Sequence, residues 1–264
     1  MEVTEERKEK LRVILDSALL ATRITHAEAS RLYGKTRWVL CPRFGRVYLA
    51  ALQPLYSIRG SAPVYPGSKV WCCLSYLRQV VDVIRPVDIP VYPIRHDAPV
   101  VILTDASFKV GRQTGELGVV VACESGLYFA SALLPTWIIV FFRLLEVKQT
   151  YISQAELYAA LCAYATFGDL LQGRLVHHFV DNSAAKAGMI KGSSSSADSA
   201  AIILELHLAV LRLSCDPWVG FVYSEDNISD LPSRGQRELL LKMEAIERPM
   251  VLPSLPGCFL GAFH

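Results

Sequence analysis

The order of the apolar runs after residue 98 is the feature that most constrains the fold of this 264-residue chain. Three strand-like runs come in series, and helical patterns then alternate with two further strand-like runs. The first run follows Pro99 and ends at Thr104-Asp105, and its continuous apolar character is typical of a buried central strand. Three consecutive strands followed by alternating helices and strands favour one mixed sheet covered by helices. We therefore predict an α/β domain with a five-stranded mixed sheet flanked by helices, preceded by a small helical subdomain.

The bounds of these elements follow from periodicity and from turn residues. Strands are predicted at 99–105, 117–123, 127–134, 174–180 and 218–223. Helices are predicted at 153–171, 183–189, 198–213 and about 232–245.

The hydrophobic content of 52% and the mean hydropathy of +0.31 raise the question of a membrane protein. The longest uncharged stretch, 125–142, contains Pro135, which favours a break after a strand over a spanning helix. Residues 1–10 carry both signs of charge, so no signal peptide is predicted. We expect no membrane partner and a cytoplasmic or nuclear location. The stretch 133–145 contains more apolar residues than burial of the predicted sheet requires.

The remaining segments differ in composition from the sheet region. Residues 1–60 have helical patterns, with a capping box at Thr25-His26-Ala27-Glu28 that should begin a second helix. Their basic side chains alternate with aromatic ones, which fits either a grip on a nucleic-acid backbone or a helical subdomain with its aromatics packed inward. Residues 61–98 are rich in proline and are predicted to be a connector. The sheet domain is predicted to span 99–240, and 241–264 to form a C-terminal tail.

Four acidic residues fall at predicted element ends: Asp105, Glu156, Asp181 and Asp230. A mixed sheet can bring such ends to one edge, the usual place for a site in an α/β domain. Converging carboxylates repel each other, so they are tolerable chiefly when a divalent metal neutralises them. Oxygen ligands suit Mg²⁺ or Mn²⁺. Two such ions can activate a water and stabilise the leaving 3′ oxygen of a phosphodiester, which is metal-assisted phosphodiester hydrolysis.

Each acid also has a structural interpretation that the sequence leaves open. Glu156 completes a capping box with Ser153. Asp181 fits an N-cap, Asp105 an Asx-turn, and Asp230 a first-turn acid facing a helix dipole.

The local sequences around the four acids, taken in order, resemble the ribonuclease H domain of retroelement reverse transcriptases. Among these reverse transcriptases, the motifs are most similar to those of tyrosine-recombinase retrotransposons and hepadnaviral polymerases. The resemblance covers about residues 99–237 and rests on Thr104-Asp105-Ala106-Ser107, Leu117-Gly118-Val119-Val120, Tyr151-Ile152-Ser153-Gln154-Ala155-Glu156-Leu157, Phe179-Val180-Asp181-Asn182-Ser183 and Asn227-Ile228-Ser229-Asp230-Leu231-Pro232-Ser233-Arg234-Gly235.

The resemblance implies that Asp105, Glu156, Asp181 and Asp230 bind two Mg²⁺ ions, with Mn²⁺ as a substitute, and cut the RNA strand of an RNA–DNA hybrid. In the family motif the last acid stands three residues after the asparagine and just before Pro-Ser-Arg. That position selects Asp230 over Asp226, which is then a solvated loop acid.

The N-terminal part is similar to the thumb and connection segment that precedes ribonuclease H in these polymerases, at Thr25–Lys35 and at Phe44-Gly45-Arg46. The chain contains no Asp-Asp dipeptide, so the polymerase palm motif is missing. The resemblance therefore implies the C-terminal part of a reverse transcriptase, with the hybrid and a polymerase domain as partners. Ribonucleases H often carry a mobile histidine near the last acid, and none lies between residues 216 and 237. A catalytically inactive module of the same fold, binding nucleic acid or a polymerase, is the alternative.

Overall fold

The computed structural model describes residues 4–40, 48–84, 98–109, 114–142, 152–194 and 196–255. The chain divides into two compact units, one of residues 1–94 with 255–264 and the other of residues 95–254. Several sequence predictions lie outside the described residues: the Phe44-Gly45-Arg46 motif, residues 85–97 of the connector, residues 143–145 of the apolar stretch and residues 256–264 of the tail.

The first unit is a small helical structure with one short two-stranded sheet. Its helices are α1 (Glu5–Leu20), α2 (His26–Leu40), α3 (Leu49–Tyr56) and α4 (Lys69–Val83), and its strands β1 (Arg23–Thr25) and β2 (Ser61–Pro63) pair antiparallel. The predicted capping box is present, because the Glu28 amide donates to Thr25 Oγ1 at 3.3 Å and the Thr25 amide to Glu28 Oε2 at 2.8 Å. Helix α4 packs against α1 and α3 through a buried face.

The aromatic residues of this unit do not all point inward. Tyr33 and Tyr56 contact each other with ring centroids 5.8 Å apart. Trp38 is 62% exposed, and the Arg7 guanidinium lies 4.5 Å from its ring centroid. The exposed end of α2 thus presents an aromatic ring together with cationic side chains.

The second unit is built on a six-stranded mixed sheet. Its strands are β3 (Val100–Lys109), β4 (Thr114–Cys123), β5 (Gly126–Leu133), β6 (Leu175–Val180), β7 (Asp216–Phe221) and β8 (Ile246–Glu247). The spatial order is β7-β6-β3-β4-β5-β8, with β3, β4 and β5 antiparallel in series and β6 and β7 parallel to β3. The predicted mixed sheet is confirmed, with β8 as a sixth strand beyond the five predicted.

Helices flank this sheet: α5 (Thr136–Phe141), α6 (Ile152–Thr166), α7 (Gly168–Leu171), α8 (Ser183–Lys191), α9 (Ala197–Leu213), α10 (Asp230–Ser233) and α11 (Glu238–Lys242). Helix α6 packs against β3, β4 and α9 and is buried on all sides, which explains its apolar sequence. The single helix predicted at 232–245 is wrong. Gly235 has a φ of +76°, a left-handed conformation that ends α10 and separates it from α11.

The C-terminal segment of the unit covers part of one sheet face. Leu240 and Ala245 pack against Val120 of β4 and Phe129 of β5, and all four side chains are buried. The short helix α10, which precedes this segment, lies beside the central strands β3 and β4.

The apolar stretch that follows β5 is accounted for in part by α5. Ile138 and Phe142 are fully buried, and Trp137 lies edge-on to Tyr158 of α6 with centroids 6.2 Å apart. Among the residues that the structure describes, no helix combines the length and apolar character needed to cross a membrane.

Candidate active site

Asp105 lies within the central strand β3, paired with Gly118 of β4. The strand continues to Lys109, because the pairing with β4 extends to Thr114. Asp105 therefore has extended strand backbone and is not part of an Asx-turn. Its side chain is buried, with the residue 5% exposed.

Glu156 reaches the same strand from helix α6. The residue is 4% exposed, and its carboxylate accepts a hydrogen bond from the backbone N–H of Ala106. Helix α6 begins at Ile152, so Ser153 is already helical. A capping-box glutamate would bond the start of its own helix, whereas the Glu156 carboxylate contacts β3.

Asp181 follows the last residue of β6, which is parallel to β3. The N-cap of α8 is the next residue, Asn182, whose side chain accepts hydrogen bonds from Ala184 N and Ala185 N at 3.0 and 2.9 Å. Asp181 is thus free of a capping role, and its Oδ2 accepts a hydrogen bond of 2.7 Å from the Ser224 hydroxyl.

These three carboxylates converge. Asp105, Glu156 and Asp181 each offer an oxygen within 4.8 Å of those of the other two. Two oxygens of these residues, Glu156 Oε2 and Asp181 Oδ1, are buried without a hydrogen-bond partner. Buried carboxylate oxygens almost always have a partner, so an unsatisfied pair at one site calls for an explanation.

Asp230 joins the site through Asp105. It is the first residue of α10 and lies within hydrogen-bonding reach of the Asp105 carboxyl group. Its Oδ2 also forms an ion pair of 2.6 Å with Arg234 Nη2, one helical turn further on. Asp226, the other acid considered for this position, is exposed in a 3₁₀ turn at Ser224–Asp226.

The cluster is electrostatically unfavourable as it stands. Burial raises the pKa of Asp105 to about 6, and the neighbouring Asp230 and Asp181 add to the rise while the Ser233 hydroxyl opposes it. Burial, followed by the charges of Asp105 and Asp181, raises the pKa of Glu156 well above its ordinary value. Each group resists ionisation because water is excluded and the nearest charges are negative.

Two solved structures resemble this chain at low sequence identity. One is the RNase H1 of the halophilic archaeon Halobacterium salinarum NRC-1, which is 13% identical with a TM-score of 0.40 over 53% of this chain and 98% of that one. The other is the N-terminal RNase H domain of a Mycobacterium tuberculosis protein fused to maltose-binding protein, which is 12% identical with a TM-score of 0.42 over 56% and 100%. At this level of similarity neither likeness bears on activity. The sequence matches no protein-family model and no curated protein.

The donor set at the cluster fits a hard divalent cation. All ligand atoms are carboxylate oxygens, which Mg²⁺ and Mn²⁺ prefer to nitrogen or sulfur. A cation bound there would satisfy the unpartnered Glu156 Oε2 and Asp181 Oδ1. It would also offset the burial and the repulsion that together raise the pKa values of Asp105 and Glu156.

Sequence reasoning assigned no role to the polar groups that hold Asp105 in place. The Ser233 hydroxyl donates a hydrogen bond to Asp105 Oδ2, and the Asn227 side chain donates one of 3.3 Å to the backbone carbonyl of Thr104. Both residues belong to the motif around Asp230 and both are almost fully buried. The available sequence signal was the presence of polar residues, Asn227 and Ser233, in the motif around Asp230.

The two neighbouring histidines of β6 are packed. His178 is fully buried, its Nε2 lies 3.0 Å from Thr104 Oγ1, and burial lowers its pKa to about 3. His177 lies edge-on to Trp218, with ring centroids 5.5 Å apart. His178 is therefore neutral near pH 7 and does not supply a charged imidazolium.

Proposed function

We propose that this chain hydrolyses the RNA strand of RNA–DNA hybrids with divalent metal held by Asp105, Glu156 and Asp181, and with Asp230 as the fourth acid. The observation that carries the proposal is the convergence of three carboxylates with two buried, unpartnered oxygens. A structural role would leave these oxygens bonded to protein donors. The hybrid substrate, the Mg²⁺ identity and the number of ions come from the resemblance of the sequence motifs.

The chemistry follows from the charges at the site. A bound cation supplies positive charge that lowers the pKa of a water ligand and stabilises a leaving oxygen. In the net reaction a water oxygen forms a bond to phosphorus while the bond from phosphorus to the 3′ oxygen breaks, giving a 5′-phosphate and a 3′-hydroxyl. Asp105, Glu156 and Asp181 would hold the cation. The Ser224 hydroxyl donates to Asp181 Oδ2, and Asn182 caps helix α8 directly after Asp181.

A cleavage assay with a matched pair of variants tests the proposal. Purified protein is incubated with a hybrid carrying a label on the RNA strand, in Mg²⁺ and in EDTA. Cleavage should require Mg²⁺ and fall at least about 100-fold in Asp181→Asn, which corresponds to a loss of about 3 kcal/mol of transition-state stabilisation. Asp226→Asn changes an exposed acid outside the cluster and should cleave like wild type.

Two results would overturn the assignment: no cleavage of the hybrid by folded wild-type protein, or full cleavage by Asp181→Asn. Duplex DNA and duplex RNA in parallel reactions separate a hybrid-specific enzyme from a related nuclease that prefers DNA.

We also propose that the chain is the C-terminal part of a retroelement reverse transcriptase, with a thumb and connection segment at 1–60 and a polymerase domain as a partner. The support is the sequence motif order and the capping box at Thr25, together with an exposed cationic face on α2 that carries Arg31, Lys35 and Trp38. Such a face suits a phosphate backbone.

Hybrid binding as a function of salt tests that face. Arg31→Ala and Lys35→Ala should each weaken binding to the hybrid and lower the slope of log K against log salt by about one. Lys10→Ala is the control, because Lys10 is already paired with Glu6 at 2.6 Å. Binding that is unchanged in both α2 variants would contradict a role for α2.

The ion pair between Asp230 and Arg234 favours a second candidate, a non-catalytic module of the same fold. In this ion pair the carboxylate of Asp230, the fourth acid, is already bound to the guanidinium of Arg234. Hybrid binding that persists in EDTA, without any cleavage in Mg²⁺ or Mn²⁺, would favour this candidate over the enzyme.

A further inference from the structure

The turn that carries Asp230 is tied to the central strand by a set of buried hydrogen bonds. Asn227 Nδ2 donates to the Thr104 carbonyl at 3.3 Å, and Asn227 Oδ1 accepts from both the amide and the hydroxyl of Ser229, at 3.3 and 2.6 Å. Ser107 donates from its hydroxyl to the Ser233 carbonyl. These contacts fix both ends of the turn against β3.

Within that frame, the Ser233 side chain is aimed at the cluster. The residue is fully buried, and its hydroxyl donates a hydrogen bond to Asp105 Oδ2. The same hydroxyl lies 3.1 Å from the Asp230 carbonyl oxygen, which limits its rotation. Ser233 therefore contacts one oxygen of Asp105, Oδ2, and does not itself contact the other.

The orientation of the Asp105 carboxylate needs such a restraint. When ionised, Glu156 and Asp181 carry the same sign of charge as the nearby Asp105, so repulsion favours a side-chain rotation that turns Asp105 away from them. A hydrogen bond from a buried hydroxyl opposes that rotation, because the bond is lost when the carboxylate turns.

We propose that Ser233 is a positioning residue that holds Asp105 in the orientation needed to share a divalent cation with Glu156 and Asp181. This inference rests on the proposed function, since it presumes that the cluster binds metal. Residues that hydrogen-bond metal ligands typically change metal affinity by about 10- to 100-fold when they are removed.

Ser229 provides a matched control in the same turn. It is also a fully buried serine, yet its hydroxyl bonds Asn227 and not Asp105. Loss of the Ser229 hydroxyl perturbs the turn without removing a bond to the cluster, so it separates positioning of Asp105 from general stability of the turn.

The test is Mn²⁺ binding to the full chain in the absence of substrate, measured by titration calorimetry. Ser233→Ala should raise the Mn²⁺ dissociation constant about 10-fold. Ser229→Ala should change it less than about threefold, the smaller effect expected of a group that does not contact a ligand. Mg²⁺ titrations of hybrid cleavage should show the same shift in half-maximal metal concentration for Ser233→Ala, with the KM for the hybrid unchanged.

A second variant keeps the test decisive if Ser233→Ala does not fold. Ser233→Cys fills nearly the same space with a weaker donor, and it should also weaken Mn²⁺ binding. Equal Mn²⁺ affinity in wild type and in folded Ser233 variants would overturn the positioning role alone. Absence of Mn²⁺ binding by the wild type would overturn the proposed function, so the two failures are distinguishable.

Discussion

Gly118 faces Ser233 so closely that a β-carbon added at Gly118 would lie 2.6 Å from the Ser233 backbone nitrogen and would also overlap the Ser229 carbonyl oxygen. Both of those atoms belong to the backbone, so they cannot move away by a side-chain rotation. Since Gly118 is the pairing partner of Asp105, this contact seats the turn that carries Asp230 beside the acid on β3.

Gly118→Ala should therefore displace the turn from β4. We expect a loss of about 1–3 kcal/mol in the free energy of unfolding, the usual cost of overpacking, and a large loss of hybrid cleavage. Gly34→Ala is the control, because no atom lies within 4 Å of the added carbon in α2. The control should gain up to about 1 kcal/mol from better helix propensity. Urea unfolding measures both, and equal stabilities would contradict the close contact.

The clustered carboxylates should make the metal-free protein less stable near neutral pH. Burial raises the Asp105 pKa from 3.8 to about 6, so the folded state binds a proton more tightly than the unfolded state. The free energy of unfolding should then fall as pH rises between these values and stay low above them. Glu156 acts in the same direction.

Asp105→Asn should remove this penalty while abolishing cleavage. In EDTA at pH 7.5 we expect an increase in the free energy of unfolding on the order of 1–3 kcal/mol, and a flatter pH dependence. Thermal melts across pH 4 to about pH 8, the range over which carboxyl linkage acts, measure the change, with Asp226→Asn as the exposed control. Identical pH profiles for wild type and Asp105→Asn would contradict the buried, repulsive environment of Asp105.

The two interpretations of the Ser153–Glu156 segment make opposite predictions. If Glu156 acts at the cluster, Glu156→Gln should lower cleavage at least about 100-fold, while Ser153→Ala should leave it within about twofold. If the two residues mainly stabilised the helix start, both variants would lose about 1 kcal/mol of stability and little activity. Cleavage rates and melts of the pair decide between them.

Much of the sheet could be predicted because its pattern is local. The continuous apolar run before Asp105 and the alternating segments after it mark strands by periodicity alone, and the pairing of β3, β4 and β5 in series follows from short turns. The convergence of Asp105, Glu156 and Asp181 was predicted from acids at the ends of elements, although Asp105 in fact lies within β3.

The parts that sequence reasoning missed depend on tertiary contacts. Gly235 adopts a left-handed conformation that divides the last helix, which its apolar periodicity did not reveal. Strand β8 has only two residues and pairs with β5, too short for a periodic signal. The role of Ser233 depends on the fold bringing it across to Asp105, 128 positions earlier in the chain.

Leu240 tests the packing of the C-terminal segment on the sheet. Its side chain is fully buried against Val120 and Phe129, so Leu240→Ala should cost about 2–5 kcal/mol. The adjacent Leu239 is 51% exposed, and Leu239→Ala should change the free energy of unfolding by less than about 0.5 kcal/mol. Similar costs for the two variants in urea unfolding would contradict the orientation of α11.

The most direct test of the central claim is anomalous diffraction from crystals soaked in Mn²⁺. We predict an anomalous peak contacted by carboxylate oxygens of Asp105, Glu156 and Asp181 at roughly 2.0–2.2 Å, and no such peak in crystals of Asp181→Asn. Wild-type crystals that show no Mn²⁺ peak between these three side chains would contradict the account.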